Sequence, residues 1–476
     1  MLLVAAPGIG TAAKRPSGGG GIKLSFDAPT AVSQGAAYQA AEPSIRVDRT
    51  EAHQRIWIAA PTGIGVDLRR DLGTDTGGDL FWYSDDDGKT WTSASAIAGE
   101  ASPTVVGGGD SDVATAFGPE VYGTGLTLAN ITLAASCDNG TTFASNEISN
   151  TETAEDRQWI DAYQDQARPG VGSGAPDFVL DFGAFALGHI VFHQVDSPAC
   201  APPVSRPPID VMRDPANDCV TSNPDCYQWP GNLAIDENTG DVYVTYNTVG
   251  NEEPPYDDDI VVTRVDGGAS RLATQADSHP FTAANDRPDT FDSFTVVAVD
   301  RASNVYVVWS ERHPELQRTD TMLAVSKDRG ATWSEPILVN QGPQTTTFPW
   351  IVAGDAGKID IVYYGTDQKG PSPEQVPATA KWKVYLTQSL NALAPVPTFK
   401  ENPATGFIHE GSICTSGTDC ASGTRDLLDF FQIDVDSQGN ANITYTDNYN
   451  TPPDGADPHQ EWVMFVQQKG GKGLFG

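Results

Sequence analysis

Three arginines recur at corresponding places in the chain, each beside an aspartate: Asp156-Arg157, Asp286-Arg287 and Arg425-Asp426. A guanidinium is planar, forked and permanently charged, so three that converge would grip a carboxylate in bidentate fashion. Asp292, Asp429 and Tyr445 stand at matching positions around them. Two carboxyls held roughly 5 to 10 Å apart, or a tyrosine nucleophile with an acidic partner, are what cleavage of a glycosidic bond requires. The candidate catalytic set is therefore Arg157, Arg287, Arg425, Asp292, Asp429 and Tyr445. The competing reading is that each arginine only pairs with a nearby aspartate and ties one structural unit to the next. With 63 acidic residues in the chain, such neighbours arise cheaply.

The elements that must position these residues are repeated β units. The clearest runs DSFTVVAVD from Asp292, VYVVWSE from Val305, TMLAVSKDRGATW from Thr321 and EPILVN from Glu335. These are four short segments rich in Val and aromatics, bounded by turn residues. A hairpin of apolar alternation, Asp and turn recurs around Asp48, Asp236, Asp300, Asp355 and Asp436. A second turn recurs as SDDDGKTW from Ser84, SCDNGTTF from Ser136 and SKDRGATW from Ser326, with a weaker copy, RVDGGASR, from Arg264. Repeats of this size with almost no helix signal predict a β-propeller of four-stranded antiparallel blades, seven favoured and six the alternative. Residues 22–476 are expected to form this single domain, with the strand near Ile22 closing the last blade. Residues 1–21 read as a signal-peptide remnant and a Gly-rich linker.

Antiparallel blades sort their connections between two faces. The Asp turns fall on one. The other collects the long connections Gly63–Asp79, Asp196–Gln228, Asn247–Asp259, Thr366–Lys381, Asn402–Leu428 and Asn448–Gln460, together with the arginines. That second face, the mouth, is expected to be the functional one. Trp159, Trp229 and Trp350 also open strands there, either to stack on sugar rings or to pack the core.

The three strong turn copies resemble the Asp-box, or BNR repeat, of the sialidase-like propeller superfamily. The resemblance covers most of residues 42–468. It implies a secreted propeller that often recognises carbohydrate, and it makes Asp86, Asp138 and Asp328 structural, because such turns lie away from the active site in sialidases. The Arg-Ile-Pro motif of those enzymes is absent: Arg55-Ile56-Trp57 lies inside a strand, and the first unit opens with Glu42-Pro43-Ser44-Ile45. The expected function is a sialidase-like, carbohydrate-active propeller that recognises or hydrolyses glycans, acidic ones included. The alternatives are a non-catalytic glycan- or protein-binding propeller and a structural surface or assembly protein.

A formal net charge of −34 opposes nucleic acid and anionic membrane surfaces. No stretch approaches the roughly 20 apolar residues of a membrane span. The partner class left is carbohydrate or glycoconjugate. Six cysteines pair locally as 219–226 and 414–420, leaving 137–200, which places the protein outside the cytoplasm, secreted or at the cell surface. No cofactor is expected; calcium at the Asp236 turn or at Asp257 to Asp259 is the alternative to plain solvated turns.

Overall fold

The computed structural model describes residues 23–33, 40–49, 55–61, 78–94, 107–116, 119–126, 130–147, 155–162, 177–184, 189–197, 201–211, 227–249, 258–267, 269, 278–290, 293–417, 420–421, 424–450 and 461–476. Asp292, Asp257, Cys200, Cys219, Cys226 and much of the long connections lie outside them. The chain is an all-β propeller of antiparallel blades. Alternation of Val, Ile and aromatics with small polar residues makes the strands, and packing between neighbouring sheets buries both their faces. In Val305–His313, for instance, the first seven residues are all buried.

Each blade begins with a strand at the axis. These first strands touch in cyclic order: Ser44–Val47, Ser111–Thr115, Glu155–Asp161, Tyr227–Ile235, Val296–Val299, Thr345–Ala353, Ile433–Val435, and back to Ser44–Val47. In the last sheet Trp462–Gly470 pairs with both Ser25–Phe26 and Thr30–Ala31, so distant parts of the chain close the ring.

The expected count of seven separate blades, or six, is corrected by the hydrogen bonding. Five sheets of four or five strands are discrete, and the sixth is a continuous sheet of nine strands. The cause is an edge left partly uncovered. Ile337–Leu338 covers Arg318–Ser326 only at Met322 and Leu323, so Thr319 is free to pair in parallel with Thr345 of the following strand.

The three strong turns share one bonding scheme. Ser136 Oγ accepts from Gly140 N–H at 2.8 Å and donates to Asp138 at 2.9 Å, while Asp138 accepts from the Thr142 N–H and hydroxyl at 2.8 and 2.7 Å. Ser84, Asp86, Gly88 and Thr90 repeat it, as do Ser326, Asp328, Gly330 and Thr332. Gly140 has φ +74°, and a Cβ there would lie 2.0 Å from the Trp57 ring, so both backbone and space demand glycine. The weaker copy does not share the scheme: Asp266 binds the Arg264 guanidinium, and Gly267 N–H donates to Asp241.

Cys414 and Cys420 are bridged, and Cys137 is disulfide-bonded. No helix among the described residues is long and apolar enough to cross a membrane.

Candidate functional site

The residues that lead into the first strands are held in unusual backbone. The ladder of Glu155–Asp161 skips between Asp156 and Gln158, leaving Arg157 as a bulge with φ +49°. Thr345–Ala353 skips between Thr347 and Trp350, with Phe348 at φ +53°. Glu42 and Leu428 lie at φ +57° and +52° before their own first strands. Few non-glycine residues adopt this conformation, and a bulge re-aims the side chain it carries. Four such residues therefore turn side chains differently from a regular strand, all at the mouth end of the axis.

Arg157 is the centre of the result. Its side chain is 2% exposed and lies between two rings, with the guanidinium carbon 3.6 Å from the Trp159 centroid and 4.0 Å from that of Phe430. None of its three nitrogens makes a hydrogen bond among the described residues. The carboxylate in ion-pair range is Asp110, at 3.5 Å. Buried guanidinium donors are ordinarily satisfied, so this group is poised to bind something more.

Among the described residues, Glu42, Asp79, Asp110, Asp156, Asp181 and Asp429 place carboxyls around it. Asp156 is exposed at its strand and hydrogen-bonds to Asp110; desolvation on the side that faces the carboxyl cluster, then the Asp110 charge, raises its carboxyl to about 8. Glu42 also hydrogen-bonds to Asp110. Burial, followed by the Asp110 charge, holds it well above the ordinary range although Arg157 pulls the other way. Burial likewise raises Asp79 and, against the pull of Arg425 and Arg157, Asp429. Desolvation and like charge act together here and favour the protonated forms.

Of the candidate set, Arg157, Arg425 and Asp429 come together. Arg425 binds Asp429 through Nε at 3.3 Å and through Nη2, and the Asp429 N–H donates to Glu42 at 3.3 Å. Arg287 is engaged elsewhere, in a two-pronged bond of 2.8 and 2.7 Å to the buried Glu311 of the next sheet. Glu311 also accepts from Trp309 Nε1 at 3.0 Å and meets His313 at 3.2 Å; against the cost of burial, the His313 and Arg287 contacts keep its carboxyl below the ordinary range. Tyr445 is buried, and burial, then Asp447, lifts its hydroxyl well above the normal phenol range. Asp292 lies outside the described residues. Glu42, Asp79, Asp110 and Asp156 were not in the set, Asp156 being noted only as the neighbour of Arg157; Glu42, Asp110 and Asp429 share a place just before a first strand, and that position is the signal that would have found the first two of these.

The tryptophans at the axis pack. Trp159 lies 5.3, 5.0 and 4.9 Å from the rings of Phe294, Trp350 and Phe430, and Trp229 stacks 6.0 Å from Phe294. This cluster plugs the channel. Beyond it, toward the Asp turns, a cavity of about 760 Å³ is lined by Trp350, Arg46, Arg49, Asp161 and Asp434. Arg49 meets Asp434 at 2.6 Å, and Arg46 donates to the neutral Gln432 at 2.9 Å while its charge acts on the buried Asp161. No group of three or more metal-ligating side chains occurs among the described residues. At the Asp236 turn the carboxylate is used by Asn238 N–H and the Thr239 hydroxyl.

The sequence matches no protein-family model, and no curated protein matches it. Similar solved structures include an α-L-arabinanase of Penicillium chrysogenum complexed with arabinobiose, 13% identical, covering 93% of this chain and 98% of its own, with a TM-score of 0.43. A protein of unknown function from Dyadobacter fermentans is 12% identical over 94% of this chain and 99% of its own, TM-score 0.44. A mutant NanB sialidase of Streptococcus pneumoniae is 10% identical over 90% of this chain and 68% of its own, TM-score 0.38.

Proposed function

We propose that this chain is an extracytoplasmic, carbohydrate-active propeller whose mouth binds a sugar and cleaves its glycosidic bond with the carboxyl group of Asp156 as the proton donor. One observation carries the reading: Asp156 holds its proton to about 8, touches solvent, and lies against Asp110 beside the unbonded Arg157 guanidinium. A general acid needs a proton near neutral pH and access to the leaving oxygen. Asp110 then serves as the base that activates water. Each of the three arginines already faces a carboxylate, Asp110 in the case of Arg157, so no open guanidinium triad is offered to a sialoside, which favours a neutral reacting sugar. The three shared turns are Asp-boxes in this reading. The Cys414–Cys420 bridge and the bonded Cys137 support a setting outside the cytoplasm.

The direct bond between Asp110 and Asp156 supports a second reading, glycan binding without hydrolysis. Glycosidase carboxyls stand roughly 5 to 10 Å apart, farther than two that touch. A panel of aryl glycosides and oligosaccharides separates the two. Release of sugar by wild type, cut about 10³-fold in Asp156→Asn with melting no lower than wild type, is expected for the hydrolase. Calorimetric binding with no release would leave the lectin-like reading; neither signal would sink both.

A further inference from the structure

Two aromatic rings are exposed among the large hydrophobic side chains of the described residues, Phe407 and Tyr449, and they touch each other. Their centroids are 6.2 Å apart at 75°, so the rings form a corner. The corner is stiff. The Asn448 and Tyr449 N–H groups both donate to the Ile408 carbonyl at 3.1 Å, and Asn450 Nδ2 donates to the Phe407 carbonyl at 2.7 Å. Its approach is open, since even a Cβ added at Gly406 would meet nothing within 4 Å.

Two ammonium groups flank this corner. Lys381 Nζ lies 4.9 Å from the Tyr449 centroid, donates to the Tyr449 hydroxyl at 2.6 Å and pairs with Glu410 at 3.5 Å, so it holds the corner in place and leaves Lys383 as the cation for a ligand. Lys383 Nζ lies 4.7 Å from the Phe407 centroid and makes no ion pair among the described residues. In a chain of net charge −34, two lysines converge over the rings of the corner, beside the carboxylate of Glu410. Distant charges are screened beyond about 8 Å at physiological ionic strength, so the lysines are felt at the corner.

The corner is wired to the axial carboxyls on the same face. Asn448 donates to Asp426 at 2.8 Å, and the adjacent Arg425 binds Asp429. We infer that Phe407, Tyr449, Lys381 and Lys383 form an outlying subsite for a single uronic-acid unit on an otherwise neutral glycan. The ring faces take the apolar face of the pyranose, and the Lys383 ammonium takes its carboxylate. The strong overall negative charge selects against a long polyanion and leaves one charged unit as the occupant. The choice of a glycan rests on the function proposed above.

The probe is a xylo-oligosaccharide carrying one glucuronate side group, titrated calorimetrically into the full chain against the same oligosaccharide without it. Wild type should bind the uronate form about fivefold more tightly, the effect of an exposed charge pair. Lys383→Gln should erase that preference and Lys383→Arg should keep it, while Phe407→Ala should weaken both ligands about tenfold. Equal affinity for the two ligands, a preference untouched by Lys383→Gln, or no binding at millimolar ligand would each overturn the subsite. The two proposals fail separately. Loss of cleavage in Asp156→Asn with no effect at Lys383 removes only the subsite. A uronate preference that depends on Lys383, in a chain that cleaves nothing, removes only the hydrolase reading.

Discussion

The molecule uses aspartate in two opposite ways. Asp138 and Asp328, in the repeated turns, are held below the ordinary carboxyl range, chiefly by hydrogen bonds from Thr142 and Thr332. Asp156 and Asp79, at the axis, are held above it, chiefly by burial. The turn carboxylates are solvated, fully bonded within eight residues of sequence, and chemically spent. The axial carboxyls come from distant parts of the chain and keep protons that could be given away. A motif that is easy to read is thus a scaffold, and the reactive group is one that no local pattern marks.

The largest test of this contrast is pH. With Asp156 as acid, activity should fall about tenfold per unit once pH exceeds about 8, and Asp156→Asn should show no such limb. Stability should respond too. The folded value of Asp156 lies above the unfolded value of about 3.9, so between these the native state holds the extra proton and stability declines as pH rises. The turn aspartates act with the opposite sign: their contribution is present above about 3.9 and is lost as pH falls through their depressed folded values. Denaturant midpoints across pH 3 to 9 should therefore rise to about pH 4 and fall from there to about pH 8, with that decline shallower in Asp156→Asn. A decline identical in wild type and variant would remove Asp156 from the account.

Next in size is the steric demand of the turn. Gly140→Ala places a methyl 2.0 Å from Trp57 in a positive-φ position, and should cost about 3 kcal/mol from crowding and backbone strain together. A urea midpoint close to wild type would show that the turn is not rigidly seated against its neighbour.

Much of the architecture was readable because strand alternation and turn chemistry are local. Asp300 illustrates this: it accepts the Ala302 and Asn304 N–H groups at 2.8 and 3.0 Å, four residues of sequence sufficing. The nine-stranded sheet was not readable, since alternation makes strands without saying which edges stay uncovered at Thr319. The site was half readable. Arg157, Arg425 and Asp429 stood out as charged residues before first strands, but Glu42 and Asp110 looked like two acids among 63. Arg287 looked equivalent to Arg157 in sequence, yet it meets Glu311 across a sheet boundary. What separates them is the bulge at Arg157, a backbone event with no composition of its own.

The smallest expected effect probes the turn carboxylate itself. Thr142→Val keeps the backbone bond to Asp138 Oδ1 and removes the hydroxyl bond to Oδ2 at 2.7 Å. Loss of one solvent-accessible, charge-assisted bond should cost about 1 kcal/mol at pH 7. The same substitution lets the Asp138 carboxyl return toward its ordinary range, so acid unfolding should begin at a higher pH than in wild type. The gap between wild type and variant should then close as Asp138 protonates in both, because the charge that strengthened the bond is gone. A gap that is constant from pH 7 to pH 3 would mean that the hydroxyl acts by packing alone, and the turn aspartates would lose their claim to the acid limb of stability.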